Sequence, residues 1–191
     1  ELMGCTFLAH LVFEKESDLV GMDLWSWPPP CSPSLPFGSV KSSSEVGCSH
    51  LLEEASFCYD LVCIQRIGVV DGVDAGLGLF AAAPIPKGTL IGEYTGCVRR
   101  RGGGEDAIDD YGYALPMLDP DMVVSSRRYG NLCRLINHSD NEWNAELLPV
   151  HHEGLVHVVC RAVGDIAEGG QVLIHYGEAY WSAPRRKRVS L

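Results

Sequence analysis

From Leu61 onward the chain sets short apolar runs between glycines, in the segments LVCIQRIGVV, GLGLFAAA, TLIGEYTGCV, NAELLPV, LVHVVCRAV and QVLIHY. Runs of this length, rich in Val, Ile and Leu, predict strands. HHEG at 151–154 separates two of them and predicts a hairpin turn, whereas YGNLCRLI at 129–136 predicts a short helix. Residues 99–130, beginning RRRGGGED, hold no sustained period and read as an irregular insertion. The first fifty residues differ. WSWPPPCSPSLPFGSVKSSSE at 25–45 is rich in Pro and Ser, lacks either periodicity and reads as a linker, with a short helix expected near residues 5–20. Trp25 and Trp27, ahead of three prolines, suit a docking motif and equally suit rings folded back on the domain. The expected division is an appendage and linker at 1–57, a mostly β domain at 58–184 and a basic tail at 185–191.

Composition changes this picture in three places. A chain of 191 residues with 46% hydrophobic and 21% charged content is ordinary for one well-buried domain with an appendage. The apolar run Cys5 to Phe13 falls far short of the ~20 residues that span a bilayer, and no basic residue precedes it, so a soluble intracellular protein without a membrane segment is expected. The formal charge of -10 argues against direct nucleic-acid binding and for a basic partner. Glu105, Asp106, Asp109, Asp110, Asp119 and Asp121 cluster in the insertion, where they suit either steering of a lysine-rich substrate or a solvated loop. Arg185, Arg186, Lys187 and Arg188 suit a nuclear import signal or a solvated tail, which leaves nuclear and cytoplasmic locations open with the nucleus preferred. The eight cysteines form no CxxC pair, so reduced, buried thiols are expected.

Candidate chemistry lies in separated segments. Gly76, Gly78 and Ala81 fit a dinucleotide fingerprint, but that motif must open a helix, and Pro84 and Pro86 would break one. Glycines there still let a ligand approach the backbone closely. Asn137-His138-Ser139 follows Arg134-Leu135-Ile136, and Tyr176 in HYGEAYW and Tyr111 in DDYGYALP are candidate functional phenols or packed, tethered tyrosines. His152, Glu153 and His157 do not match H-E-x-x-H, and no metal is expected.

Taken in order, AGLGLFA (75–81), EYTG (93–96), NLCRLINHSD (131–140) and QVLIHYGEAYW (171–181) resemble the SET-domain protein lysine methyltransferases. The resemblance covers roughly residues 60–184. It implies a mostly β SET fold of small curved sheets with a pseudoknot-like carboxyl-terminal segment and few short helices. It also implies transfer of methyl from S-adenosylmethionine to a lysine side chain, most naturally of a histone tail. Carried over residue by residue, Tyr176 and Tyr111 are the catalytic positions. Gly76, Leu77, Gly78, Tyr111, Asn137, His138 and Trp181 are the cofactor-binding ones, and Tyr113, Ile174 and Tyr180 line the substrate channel. Ile174 stands where many relatives hold Phe or Tyr to limit methylation, so dimethyl or trimethyl products are expected.

The chain departs from the family in two respects. Asp140-Asn141-Glu142-Trp143-Asn144 replaces Cys-x-Pro-Asn and is one residue longer, with Asn144 taking the final Asn position. No cysteine follows Cys160, so the compact type without a zinc clasp is expected, its channel closed by Tyr180 and Trp181, the appendage or a second subunit in a homodimer. The alternative is a SET-like binding module that keeps the fold without activity.

Overall fold

The computed structural model describes residues 5–7, 12–13, 59–70, 72–102, 108–152 and 155–183. Trp25, Trp27, the linker, Glu105, Asp106, Glu153 and the basic tail lie outside the described residues. The described residues form mostly strands: β1 (Thr6–Phe7), β2 (Val12–Phe13), β3 (Val62–Arg66), β4 (Val69–Val70), β5 (Val73–Asp74), β6 (Leu77–Ala81), β7 (Leu90–Glu93) and β8 (Cys97–Arg100). After these come β9 (Gly112–Ala114), β10 (Met122–Ser125), β11 (Tyr129–Gly130), β12 (Asn137–His138), β13 (Ala145–His152), β14 (Leu155–Ala162) and β15 (Leu173–Ile174). Among the described residues helix is confined to the single turn α1 (Glu178–Trp181) and to 3-10 turns at Tyr59–Leu61 and Leu132–Leu135, the second of which is the short helix expected there. Among the described residues no helix is long and apolar enough to cross a membrane. The chain divides into two compact units.

The first unit takes in Thr95–Asn131, Pro149–Val159 and the described residues before 56. Its four-stranded sheet runs β2-β8-β10-β9. β10 is one of its two interior strands, paired antiparallel with β8 from Met122↔Arg100 to Ser125↔Cys97 and with β9 from Val123↔Ala114 to Ser125↔Gly112. All four β10 residues are buried, which explains a continuous MVVS run instead of an alternating one. Residues 99–130 are therefore not irregular: their strands have two to four residues each, too few to display a period. Of the helix expected near 5–20, residues 8–11 and 14–20 lie outside the described residues. The residues described there are strands, β1 parallel to β11 and β2 parallel to β8, because partners more than eighty positions away in sequence decide their conformation.

Close approach fixes one glycine in this unit. A Cβ on Gly96 would sit 2.6 Å from the Ser125 carbonyl oxygen, and beside it Ser126 Oγ donates to the Thr95 carbonyl. Two acidic residues of the insertion, Asp109 and Asp119, are spent locally. Asp109, with its side chain 6% exposed, pairs with Arg99 at 2.8 Å and Arg127 at 3.8 Å and accepts the Tyr111 amide at 3.0 Å. Asp119 accepts the Asp121 amide and pairs with Arg100, and these partners, in that order, hold its carboxyl below the usual range. Half-buried His151 is held below its usual value by desolvation and by nearby His157.

The second unit takes in Phe57–Tyr94, Leu132–Leu148 and Cys160–Leu191. β3 and β6 form an antiparallel ladder from Val62↔Ala81 to Arg66↔Leu77. β13 and β14 are adjacent, as the expected hairpin requires, and the carboxyl end of β14 meets the start of β7, where the Ala162 amide donates to Thr89 at 2.9 Å. The carboxyl-terminal segment is gripped from two sides. Val172 donates to Leu79 of β6 at 2.8 Å, while β15 lies parallel to β12 with Asn137 opposite Leu173 and His138 opposite Ile174. Asn144 locks this arrangement: its Nδ2 donates to the Gln171 carbonyl at 2.9 Å, and its Oδ1 accepts the Leu173 amide at 3.0 Å. Leu79, Ile85, Ile91 and Val172 fill the core of this unit. Cys133 and Cys160 are buried there as thiols. Desolvation, with Glu93 adding to it, pushes Cys133 up to about 12. Cys5, also buried, and half-buried Cys63 and Cys97 are likewise outside any disulfide among the described residues.

Candidate active site

Tyr176 lies two residues beyond the end of β15 and is tied at both ends. Its hydroxyl donates to the Ile136 carbonyl at 2.7 Å, and its amide donates to Nδ1 of His138 at 3.1 Å. The parallel pairing of β12 with β15 makes both bonds possible, because it places the Ile136-Asn137-His138 backbone alongside the strand that delivers the phenol. Gly177, at φ +83°, then turns the chain into α1, a conformation that costs a glycine little. The turn brings Tyr180 and Trp181 back over Tyr176: the Tyr180 ring meets it edge-on at 4.6 Å, and the Trp181 ring is stacked at 6.0 Å. His138 packs on Trp181 at 4.9 Å and on Tyr176 at 5.3 Å. Five of the positions named from sequence, Asn137, His138, Tyr176, Tyr180 and Trp181, thus gather in one place, with Ile174 buried next along the strand.

The glycine segment joins them through Asn137, whose Nδ2 donates to the Leu77 carbonyl at 2.9 Å. Gly76 has φ +70° and open space where a Cβ would project. At Gly78 a Cβ would lie 2.7 Å from Gln171 Nε2 and 2.9 Å from the Phe80 ring, so the two glycines serve different ends. Gly76 makes the turn, and Gly78 permits close packing. Gln171 Nε2 is a buried donor that meets no acceptor among the described residues. Such an orphan is costly unless something pairs with it. Tyr111 and Tyr113 belong to the first unit, Tyr111 exposed just before β9 and Tyr113 opposite Val124.

Sequence reasoning missed Gln171, His175 and Asp140. His175 packs edge-on against His138 at 5.1 Å, and Asp140 reaches His138 Nε2 at 2.9 Å. No sequence spacing pairs Asp140 with His175; the β12–β15 register does.

The family model of the SET domain matches residues 76–177, more than half of the chain, and the protein belongs to that family. Histone-lysine N-methyltransferase EZH2 of Chaetomium thermophilum is 32% identical over 117 residues, covering 55% of this chain and 8% of that relative. Histone-lysine N-methyltransferase ash1 of Drosophila melanogaster is 35% identical over 125 residues, covering 59% and 6%. The chain therefore spans less than a tenth of the length of either. Among solved structures, Chaetomium thermophilum Polycomb Repressive Complex 2 bound to GSK126 superposes with a TM-score of 0.55 at 26% identity, over 68% of this chain and 17% of that one. The same complex in an autoinhibited conformation bound to S-adenosylmethionine gives 0.52 at 26% identity, over 61% and 15%. The SET fold expected from sequence is the observed fold.

Residues of the second unit fit the cofactor that this family uses. Gly76 leaves open room beside the backbone, Asn137 ties that segment to the aromatic cluster, and Gln171 keeps a buried donor in reserve next to Gly78. His138, Asp140 and His175 form a group with the composition of a metal site, their ligand atoms within 4.8 Å of one another.

Proposed function

We propose that this protein is an S-adenosylmethionine-dependent protein lysine N-methyltransferase acting on a basic protein, most naturally a histone tail in the nucleus. The observation that carries the reading is the setting of Tyr176. Its hydroxyl hydrogen is committed to the Ile136 carbonyl, so the phenol oxygen faces the rest of the site as an acceptor. An oxygen so oriented can receive the N–H of a neutral lysine amine and stabilise partial positive charge on a migrating methyl group.

The cofactor, held by Gly76, Leu77, Gly78, Asn137, His138 and Trp181, supplies an electrophilic methyl on a sulfonium centre. The chain's own part is to align. Holding nucleophile and methyl in line is worth up to ~7 to 11 kcal/mol of effective concentration, more than any single hydrogen bond here. Lysine must arrive neutral. Rings of Tyr176, Tyr180 and Trp181 exclude water, and a nearby cation disfavours a second one, so both lower the lysine pKa without a carboxylate base. Tyr111 and Tyr113 are proposed as channel residues on the sequence resemblance alone. Ile174 offers no hydroxyl to pin a water near the amine, which supports dimethyl and trimethyl products; mass spectrometry finding only monomethyl product with excess cofactor would remove that part. A second copy of the chain as the closing element of the channel is checked by sedimentation equilibrium.

Support for a basic substrate comes from the charge of -10 and from relatives named for histone lysine. It does not come from Asp109 and Asp119, which are occupied by arginines. The decisive experiment is calorimetric titration with S-adenosylmethionine followed by radiolabel transfer to a histone peptide array. Transfer that Tyr176→Phe abolishes sustains the proposal. Binding without transfer, the outcome for an inactive module, overturns it.

A further inference from the structure

Asp140 occupies the point at which the chain leaves the usual SET pattern, and its surroundings give it a task. Its Oδ1 lies 2.9 Å from Nε2 of His138 and 3.7 Å from Nε2 of His175. The second nitrogen of each ring is already engaged. Nδ1 of His138 accepts the Tyr176 amide at 3.1 Å, and Nδ1 of His175 accepts the Gly177 amide at 3.1 Å. Peptide planarity fixes the direction of both donors. A nitrogen that accepts a hydrogen must present its lone pair, so each neutral ring carries its proton on Nε2, the nitrogen that faces Asp140.

We propose that Asp140 is a positioning residue. Its carboxylate holds His138 in the Nε2–H tautomer through a hydrogen bond and favours the same tautomer at His175 through its charge, and the two rings in turn hold the amides of Tyr176 and Gly177. Without the carboxylate, the buried Nε2–H of His138 loses its acceptor. The ring is then free to move its proton to Nδ1, where it meets the Tyr176 amide hydrogen head-on. An attraction becomes a repulsion at the residue whose phenol must be set within a fraction of an ångström. Asp140 itself is 43% exposed, so its effect is on orientation and not on global stability.

The same geometry argues against a divalent cation at these three residues. A metal on either Nε2 would need the lone pair there and would drive the proton onto Nδ1, toward a backbone donor. Ligating histidines have the reverse arrangement, donating their second N–H to an oxygen.

The test reads tautomers directly. Long-range ¹H–¹⁵N correlation spectra of the full chain should show Nε2–H imidazoles at His138 and His175. In Asp140→Ala the His138 pattern should change and the Tyr176 amide should shift, whereas Asp140→Asn, which keeps an acceptor oxygen, should preserve both. An Nδ1–H tautomer in the wild type, displacement of the ring resonances by Zn²⁺, or an unaltered His138 in Asp140→Ala would overturn the proposal. A kinetic arm rests on the methyltransferase reading. There kcat should fall by about 10²-fold at most in Asp140→Ala, with KM for peptide little changed and most of the loss recovered in Asp140→Asn. Full kcat in Asp140→Ala alongside a changed tautomer would overturn the positioning role. A chain that transfers no methyl defeats the proposed function, and the spectra still decide the tautomers.

Discussion

Polar side chains are used differently in the two units. Around β8 and β10, Asp109 and Asp119 bond to groups 2 to 19 positions away: their own turns and the arginines of the neighbouring strand or loop. Around β12 and β15, Asn137, Asn144 and Tyr176 bond to backbone 27 to 60 positions away. Local pairs shape a loop and are replaceable one at a time. Distant pairs hold separate pieces of chain in register, and each carries the alignment of the candidate site.

That contrast orders the expected effects of substitution. The largest is Tyr176→Phe, which should lower methyl transfer by about 10²- to 10³-fold while leaving cofactor affinity in calorimetry little changed. An effect under tenfold would place the phenol outside the chemistry. Next is Asn144→Ala, which leaves the Gln171 carbonyl and Leu173 amide without partners. It should cost about 2–3 kcal/mol in urea unfolding, because each lost bond exposes a backbone group to an unmet demand. Asp109→Asn removes the charge facing Arg99 but keeps an acceptor for the Tyr111 amide, so about 1–2 kcal/mol is expected by the same measurement. If Asp109→Asn proved the costlier of these two, the distinction between local and distant bonding would fail.

The smallest effect is a slope with pH. The pKa of His151 is lower in the folded chain than its ordinary 6.5, so the unfolded chain takes up the proton first as pH falls. Its contribution to stability is complete above about 6.5 and is lost as the pH drops below that value toward the folded pKa. His151→Asn should flatten unfolding free energy over this window. An unchanged slope would mean that other groups carry it.

Much of the second unit was legible in the sequence, because its chemistry sits in short strings with few alternatives. Gly76, Asn137, His138, Tyr176, Tyr180 and Trp181 were all named, and Asn144 was placed at the final Asn of its motif despite the extra residue. Its clamp on residues 171–173 gives that placement a physical function. Asp140 and His175 were not legible, since their relation exists only through a parallel pairing between segments more than thirty residues apart. The first unit was harder to read. Met122-Val123-Val124 was an apolar run of only three residues among charges, and nothing local indicated that it is a fully buried interior strand. Charge was misleading there as well, since Asp109 and Asp119 read as part of a free acidic surface until the arginines paired with them are seen.

The hydroxyl of Tyr176 ends on a carbonyl forty positions earlier, within a strand pair that cannot exist until residue 174 has been added. During synthesis the Ile136 carbonyl would therefore wait for some forty further residues before the phenol that docks on it had been added. A truncated product ending before residue 174 would lack the pairing of β12 with β15 entirely, so the docking of Tyr176 is present whole or not at all.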